Sequence, residues 1–218
     1  AVSPSASSDA TKSIAARAGT TWVSALFLVF FVGLSGCANS LQSGRPALYD
    51  FGPGLLAISP ATAPTRAPVI LGVIEATPAL ESLAVHYRLG YANGQQFKPY
   101  SQARWSMAPA QLIRQRLSEQ LAQSRAILNP GESGLAGTAE PATLRVDLEE
   151  FSQLFLTPNQ SVGLIRLRAT LIQPSKTPRV VQHSVVVQRP AASADALGGV
   201  QALTAAADAA VLEIDAWM

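Results

Sequence analysis

The sequence predicts an α+β domain: a twisted, mostly antiparallel sheet of about five to six strands with two long helices packed on one face. Three observations carry this reading. Residues 144–149, 165–171 and 181–188 alternate apolar and polar side chains at the period of a half-buried strand. Two further stretches, Leu112–Leu121 and Val200–Trp217, place apolar residues at helical spacing. Strand-rich and helical segments follow one another twice along the chain, and no internal repeat of fixed period interrupts them.

Chain order begins with a processing signal. The longest apolar run is Trp22–Leu34, with Lys12 and Arg17 upstream and no acidic residue between Lys12 and Cys37. Ser35, Gly36 and Cys37 follow at once. A basic region, an apolar region and a small-residue site in that order are what a secretory signal requires. The tetrad Leu34-Ser35-Gly36-Cys37 resembles a bacterial lipobox, whose cysteine thiol receives diacylglycerol before cleavage ahead of it. Residues 1–36 are therefore expected to leave as a signal peptide, and the mature chain to begin at a lipidated Cys37 that also carries an N-acyl chain.

A retained membrane span fits the run less well, because it falls short of the roughly 20 residues that cross a bilayer as a helix. The run also lacks the single apolar stripe of an amphipathic core helix, and a buried structural cysteine would need none of the flanking pattern. Acyl burial contributes about 0.8 kcal/mol per methylene, so several chains make an effectively permanent anchor. By resemblance to Gram-negative lipoproteins, Ala38 in place of Asp after the cysteine implies the outer membrane.

Residues 37–68 are rich in Ser, Gly, Pro and Ala and read as a lipidated tether, interrupted by a short edge strand at Ala47–Phe51. The domain proper is expected over residues 69–218. Val69–Ile74 is a β-branched run ended by Thr77-Pro78, and Leu83–Leu89 alternates as a half-buried strand. Asn93-Gly94 predicts a tight hairpin turn, with a return strand over 95–100 stopping near Pro99. Ser106 is placed to cap a helix whose first turn holds Pro109 and whose stripe is Leu112, Ile113, Leu117 and Leu121. A loop from Asn129 to Thr138 leads to three strands that form an antiparallel meander, closed by an Ala-rich helix over about residues 194–216.

Composition removes several classes of function. The expected mature chain carries 14 basic and 13 acidic residues, with no clustered basic face for nucleic acid. Cys37 is the only cysteine, which leaves none for a disulfide or a thiolate metal site once it is acylated. His86 and His183 each lie alone on a strand and read as structural residues, not metal ligands. No Gly-rich phosphate loop, HExxH or Gly-x-Ser-x-Gly pattern is present, so no catalytic residue is assigned. Asp147, Glu149 and Glu150 read as a solvated strand edge, because alternation sends adjacent residues to opposite faces. Candidates for a partner-binding surface are Arg104 and Trp105, residue types enriched at binding hot spots, and Arg166 with Arg168 on one strand face. For each pair the alternative is structural: Trp105 filling the core, and the two arginines on a solvated face.

Taken together, the chain resembles the ABC-type transport auxiliary lipoprotein family, the PqiC-like proteins. The residues that carry this are the lipobox, the strand Leu48-Tyr49-Asp50-Phe51 and the segment V-I-L-G-V-I-E-A-T-P-A-L-E-S-L-A-V-H-Y-R-L. Arg104-Trp105 ahead of the Leu112–Leu121 helix and the terminal Ala216-Trp217-Met218 complete the pattern. The first strand holds one Tyr where the family usually has a Tyr-rich strand. The resemblance implies a non-enzymatic periplasmic domain, anchored to the outer membrane of a Gram-negative cell. It would act with an inner-membrane ABC transporter and an MCE-domain protein in moving phospholipid or another hydrophobic molecule. It implies no cofactor beyond the acyl chains, and it leaves homo-oligomerisation open. The rival expectation is an envelope assembly or stability lipoprotein that binds a β-barrel protein or peptidoglycan.

Overall fold

The computed structural model describes residues 44–54, 66–132 and 140–218. Cys37 and the lipobox residues Leu34, Ser35 and Gly36 lie outside the described residues, as does most of the expected loop up to Thr138. In chain order the elements are β1 (Ala47–Tyr49), β2 (Val69–Ala76), β3 (Ala84–Leu89), the one-turn helix α1 (Gly90–Asn93) and β4 (Gly94–Trp105). Then follow α2 (Pro109–Leu121), β5 (Ile127–Leu128), β6 (Ala142–Thr157), β7 (Gln160–Gln173), β8 (Arg179–Pro190) and α3 (Ala196–Trp217).

The eight strands form one mixed sheet built around β6. One edge of β6 pairs with β7 along its length, and β7 pairs with β8, both antiparallel. The opposite edge is shared. β2 runs parallel to residues 142–148 and β3 runs parallel to residues 153–155. β5 lies beyond β2, while β4 and then β1 lie beyond β3. The predicted meander β6-β7-β8 is present. The expected five to six strands become eight, and four of the seven pairings are parallel, so the sheet is mixed and not mostly antiparallel. Alternation reports which face a residue occupies but not which strand lies beside it or in which direction.

The switch between neighbours coincides with a bulge. Leu148 pairs with Leu167 and Glu150 with Arg166, so Glu149 is an extra residue on β6. Buried positions change accordingly from Leu144, Val146 and Leu148 to Phe151, Gln153 and Phe155. The bulge also alters the expected solvated edge. Glu149 pairs with Arg168, and Glu150, 14% exposed, receives two hydrogen bonds from the Arg88 guanidinium at 3.1 and 3.2 Å. Both carboxylates are thus engaged by arginines instead of water alone.

α2 and α3 pack together on one face of the sheet. On β7 the odd-numbered residues Ile165, Leu167, Ala169 and Leu171 are buried beneath α3, while Arg166 and Arg168 project from the open face. The predicted stripe of α2 is buried in full, and Val200, Leu203, Ala207, Val211 and Ile214 form the buried line of α3. The helices are tied by Arg116 to Asp208 at 3.1 Å and by Gln120 to Asp215 at 3.1 Å. α3 is long and apolar enough to cross a membrane, but here that apolarity lies against the sheet. It comes close to the sheet at Gly163, where a Cβ would stand 2.5 Å from the carbonyl carbon of Ala202.

Several local expectations are corrected. The β3–β4 connection is a helical turn, with Gly94 at φ −67°, instead of a two-residue hairpin turn needing positive φ. β4 passes through Pro99 to Trp105; β1 pairs only with residues 103–105, so Pro99 lies where the outer edge has no described partner strand and a missing N–H is tolerated. Ala108, not Ser106, occupies the cap position of α2, and the Ser106 N–H donates to the Tyr49 carbonyl at 2.7 Å. The short strand β1 pairs with β4 at residues 103–105, and Phe51 just after it is part of the hydrophobic core.

Two measurements test this packing. Gly163→Ala would push β7 and α3 apart and lower stability by about 1–3 kcal/mol, the usual cost of overpacking, read as a fall in the urea midpoint. Asp195 caps α3 by accepting from the Gly198 N–H at 2.8 Å, and this bond holds its carboxyl below the usual value of 3.8. Asp195→Ala should therefore cost about 1 kcal/mol at neutral pH. That difference is fully present above about 3.8 and shrinks as the pH falls through the lowered folded value.

Candidate partner-binding surface

Trp105 lies at the end of β4, 0% exposed. Its ring meets Phe51 edge-on at 5.7 Å and Phe151 at 5.5 Å. Its backbone N–H donates to the Leu83 carbonyl at 2.7 Å. The indole is thus the centre of an aromatic cluster that joins the segment just after β1 to β4 and β6, and it presents nothing to a partner. Arg104 next to it is half-buried, in register with Ala84 on one side and Leu48 on the other. Its charge helps to hold the pKa of His86 down, second to the effect of burial. The pair reads as one motif in the sequence, but the strand sends its members to opposite faces.

The histidines are structural by their contacts. His86 stacks on Phe97 at 4.1 Å, and burial followed by the charges of Arg104 and Arg88 favours its neutral form. Arg88 lies over the same Phe97 ring at 4.6 Å. His183 bonds Glu213 at 2.9 Å and stacks on Trp217, linking β8 to α3. Among the described residues there is no group of three or more His, Cys, Asp or Glu side chains that could hold a metal ion.

Two polar assemblies have no simple sequence signal. Tyr100 donates its hydroxyl to Gln153 at 2.8 Å, and Gln153 donates to Ser161 at 2.7 Å, a buried chain across β4, β6 and β7. Burial pushes the Tyr100 pKa upward, so the phenol remains a donor. Asp215 accepts from Arg66 at 3.0 Å, Arg125 at 3.3 Å and Gln120 at 3.1 Å, which fixes the end of α3 to α2 and to the chain entering β2. Each assembly joins residues far apart in sequence. Cavities of about 210 Å³ beside Val69, Arg125 and Leu171 and about 60 Å³ beside Phe51 and Arg116 fall below the roughly 300–1,000 Å³ usual for small-molecule sites.

Arg166 and Arg168 remain on the open face of the sheet. Arg168 is paired with Glu149. Arg166 stands opposite Glu150 in register, but Glu150 is held by Arg88, and Arg166 has no hydrogen bond or ion pair among the described residues. Val186 stands across from Arg166 on β8 and is 54% exposed. Of the four predicted binding residues, these two arginines share an accessible face.

The sequence model of the family described as ABC-type transport auxiliary lipoprotein component matches residues 49–215. No curated protein matches the chain. Among solved structures, protein XCC0632 from Xanthomonas campestris, described as belonging to the DUF330 family, is 18% identical with a TM-score of 0.63. That likeness covers 78% of this chain and 94% of the other. A second crystal structure, titled as an uncharacterized protein, is 13% identical with a TM-score of 0.56 over 80% of this chain and 99% of its own. These likenesses concern the fold.

Truncation separates core from surface at these positions. Trp105→Ala should lower stability by about 3–5 kcal/mol, as aromatic deletions in cores do. Arg166→Ala should stay within about 0.5 kcal/mol of the parent in the same denaturation experiment.

Proposed function

The chain belongs to the family of ABC-type transport auxiliary lipoprotein components, and from that premise we propose that it is a non-enzymatic, outer-membrane-anchored subunit of an envelope transport system. In this reading Cys37 is the acylated anchor, and the α+β body stands in the periplasm. It works beside an inner-membrane ABC transporter and an MCE-domain protein that move phospholipid or another hydrophobic molecule. The family match over residues 49–215 carries the reading, and the lipobox-like tetrad ending at Cys37, shortly before it, supports the anchor. The two described cavities are smaller than usual ligand sites, which suits a docking role.

Two experiments test it. Cys37→Ala should abolish processing and release the chain from the outer-membrane fraction; unchanged fractionation would remove the anchor. Solubilised envelope should yield the MCE-domain protein together with this chain. Recovery of a β-barrel protein or peptidoglycan in its place would favour the rival role in envelope assembly.

A further inference from the structure

β8 is a sheet edge of unusual form. It runs twelve residues, pairs only with β7 among the described residues, and keeps unbroken register from Val162↔Pro190 to Gln173↔Arg179. Natural edges are usually blunted by bulges, inward charges or a proline within the strand. Here the interior is Val180 to Gln188, with no Lys, Arg, Asp, Glu or Pro, and its only proline is the last residue, Pro190.

The direction of its free groups follows from the ladder. The Ala191 N–H donates to the Ser161 carbonyl at 2.9 Å, one step beyond the last registered pair. Bonded and non-bonded pairs alternate in an antiparallel ladder, so the odd-numbered residues of β8 bond to β7. The even-numbered residues Val180, Gln182, Ser184, Val186 and Gln188 therefore turn their N–H and C=O groups outward. The Gln188 carbonyl accepts from Arg189 at 3.2 Å, which agrees with this direction. Val180 and Val186 are 58% and 54% exposed along the same line.

Charge restricts what can lie there. Residues 160–190 carry Arg166, Arg168, Lys176, Arg179 and Arg189 and no carboxylate, although the expected mature chain is nearly neutral. A second copy paired over the whole edge would place Arg179 opposite Arg189 at both ends, a destabilising like-charge arrangement. We propose that the free edge of β8 accepts an extended, acidic segment of a partner protein as an added antiparallel or parallel strand. The main-chain groups of Val180, Gln182, Ser184 and Val186 supply the ladder. Arg179 and Arg189, at its two ends and both on the α3-side face by their pairing with Gln173 and Gly163, select for carboxylates. The inference rests on the β7–β8 hairpin itself and holds whether or not the partner is part of a transport system.

The test uses the full chain and a synthetic peptide of about nine residues that alternates valine with glutamate and threonine, a typical strand length. Its counterpart with lysine in place of glutamate serves as the control. The acidic peptide should bind saturably and protect the amides of Gln182, Ser184 and Val186 from hydrogen exchange, and the basic peptide should bind at least about tenfold more weakly. Ser184→Pro, which removes one outward N–H and leaves the bonds to β7, should abolish the protection. Arg179→Glu with Arg189→Glu should invert the preference between peptides, and this pair tests the idea even if the proline variant misfolds. Equal binding of both peptides, or none, would overturn it. Protection that grows with protein concentration alone would point to a second copy instead, and protection by phosphatidylglycerol vesicles without peptide would point to a lipid surface; either result overturns the proposal.

Discussion

Glu149 is an extra residue in the β6–β7 ladder, and most of the architecture follows from the turn it puts into β6. A bulge bends a strand and increases its twist. Before it, β6 offers its edge to β2; after it, the same edge goes to β3. The sheet therefore divides into two lobes on one side while β7 and β8 continue it on the opposite side. The aromatic cluster of Phe51, Trp105 and Phe151 fills the β3–β4–β1 lobe, and α2 covers the β2 lobe. The change of facing at the bulge also brings Gln153 inward, where Tyr100 and Ser161 satisfy it. A buried amide in a fully bonded chain of this kind is stable, whereas the same group unpaired would be costly.

Much of this was legible in the residues, for reasons that also mark where legibility ends. Leu112, Ile113, Leu117 and Leu121 announce a helix because burial on one side repeats at the helical period, and the structure buries all of them. The β6–β8 meander is visible because short polar connections leave adjacent strands few alternatives. Parallel pairings are different. β2 and β6 lie far apart in the chain, with β3, β4, α2 and β5 between them, and no local pattern states that they will be neighbours. The bulge is hidden for a related reason, since Glu149-Glu150 looks like ordinary alternation until the partner strand supplies the register. At Asn93-Gly94 a strong local turn signal gave way to the helical turn α1.

The binding residues divide along the same line. Arg104-Trp105 is conspicuous because its residue types are uncommon side by side, but residue type alone does not give depth, and Trp105 is the most enclosed large side chain of its cluster. Arg166 and Arg168 are ordinary in the sequence, yet they occupy the accessible face. The family relation was carried by the order of elements more than by any single motif, and the match over residues 49–215 spans the elements that established that order.

Among the described residues β1 is the first strand, and at three residues it offers little ladder to resist a pull. So short a pairing would peel readily under load. Phe51, two residues on, is wedged edge-on against Trp105 beneath the sheet, so drawing β1 away means dragging an aromatic ring out of the hydrophobic interior. Tension along the leader is thereby transferred to the body through a mechanical peg. A pull strong enough to unseat it would unravel the domain from its centre, not from its rim.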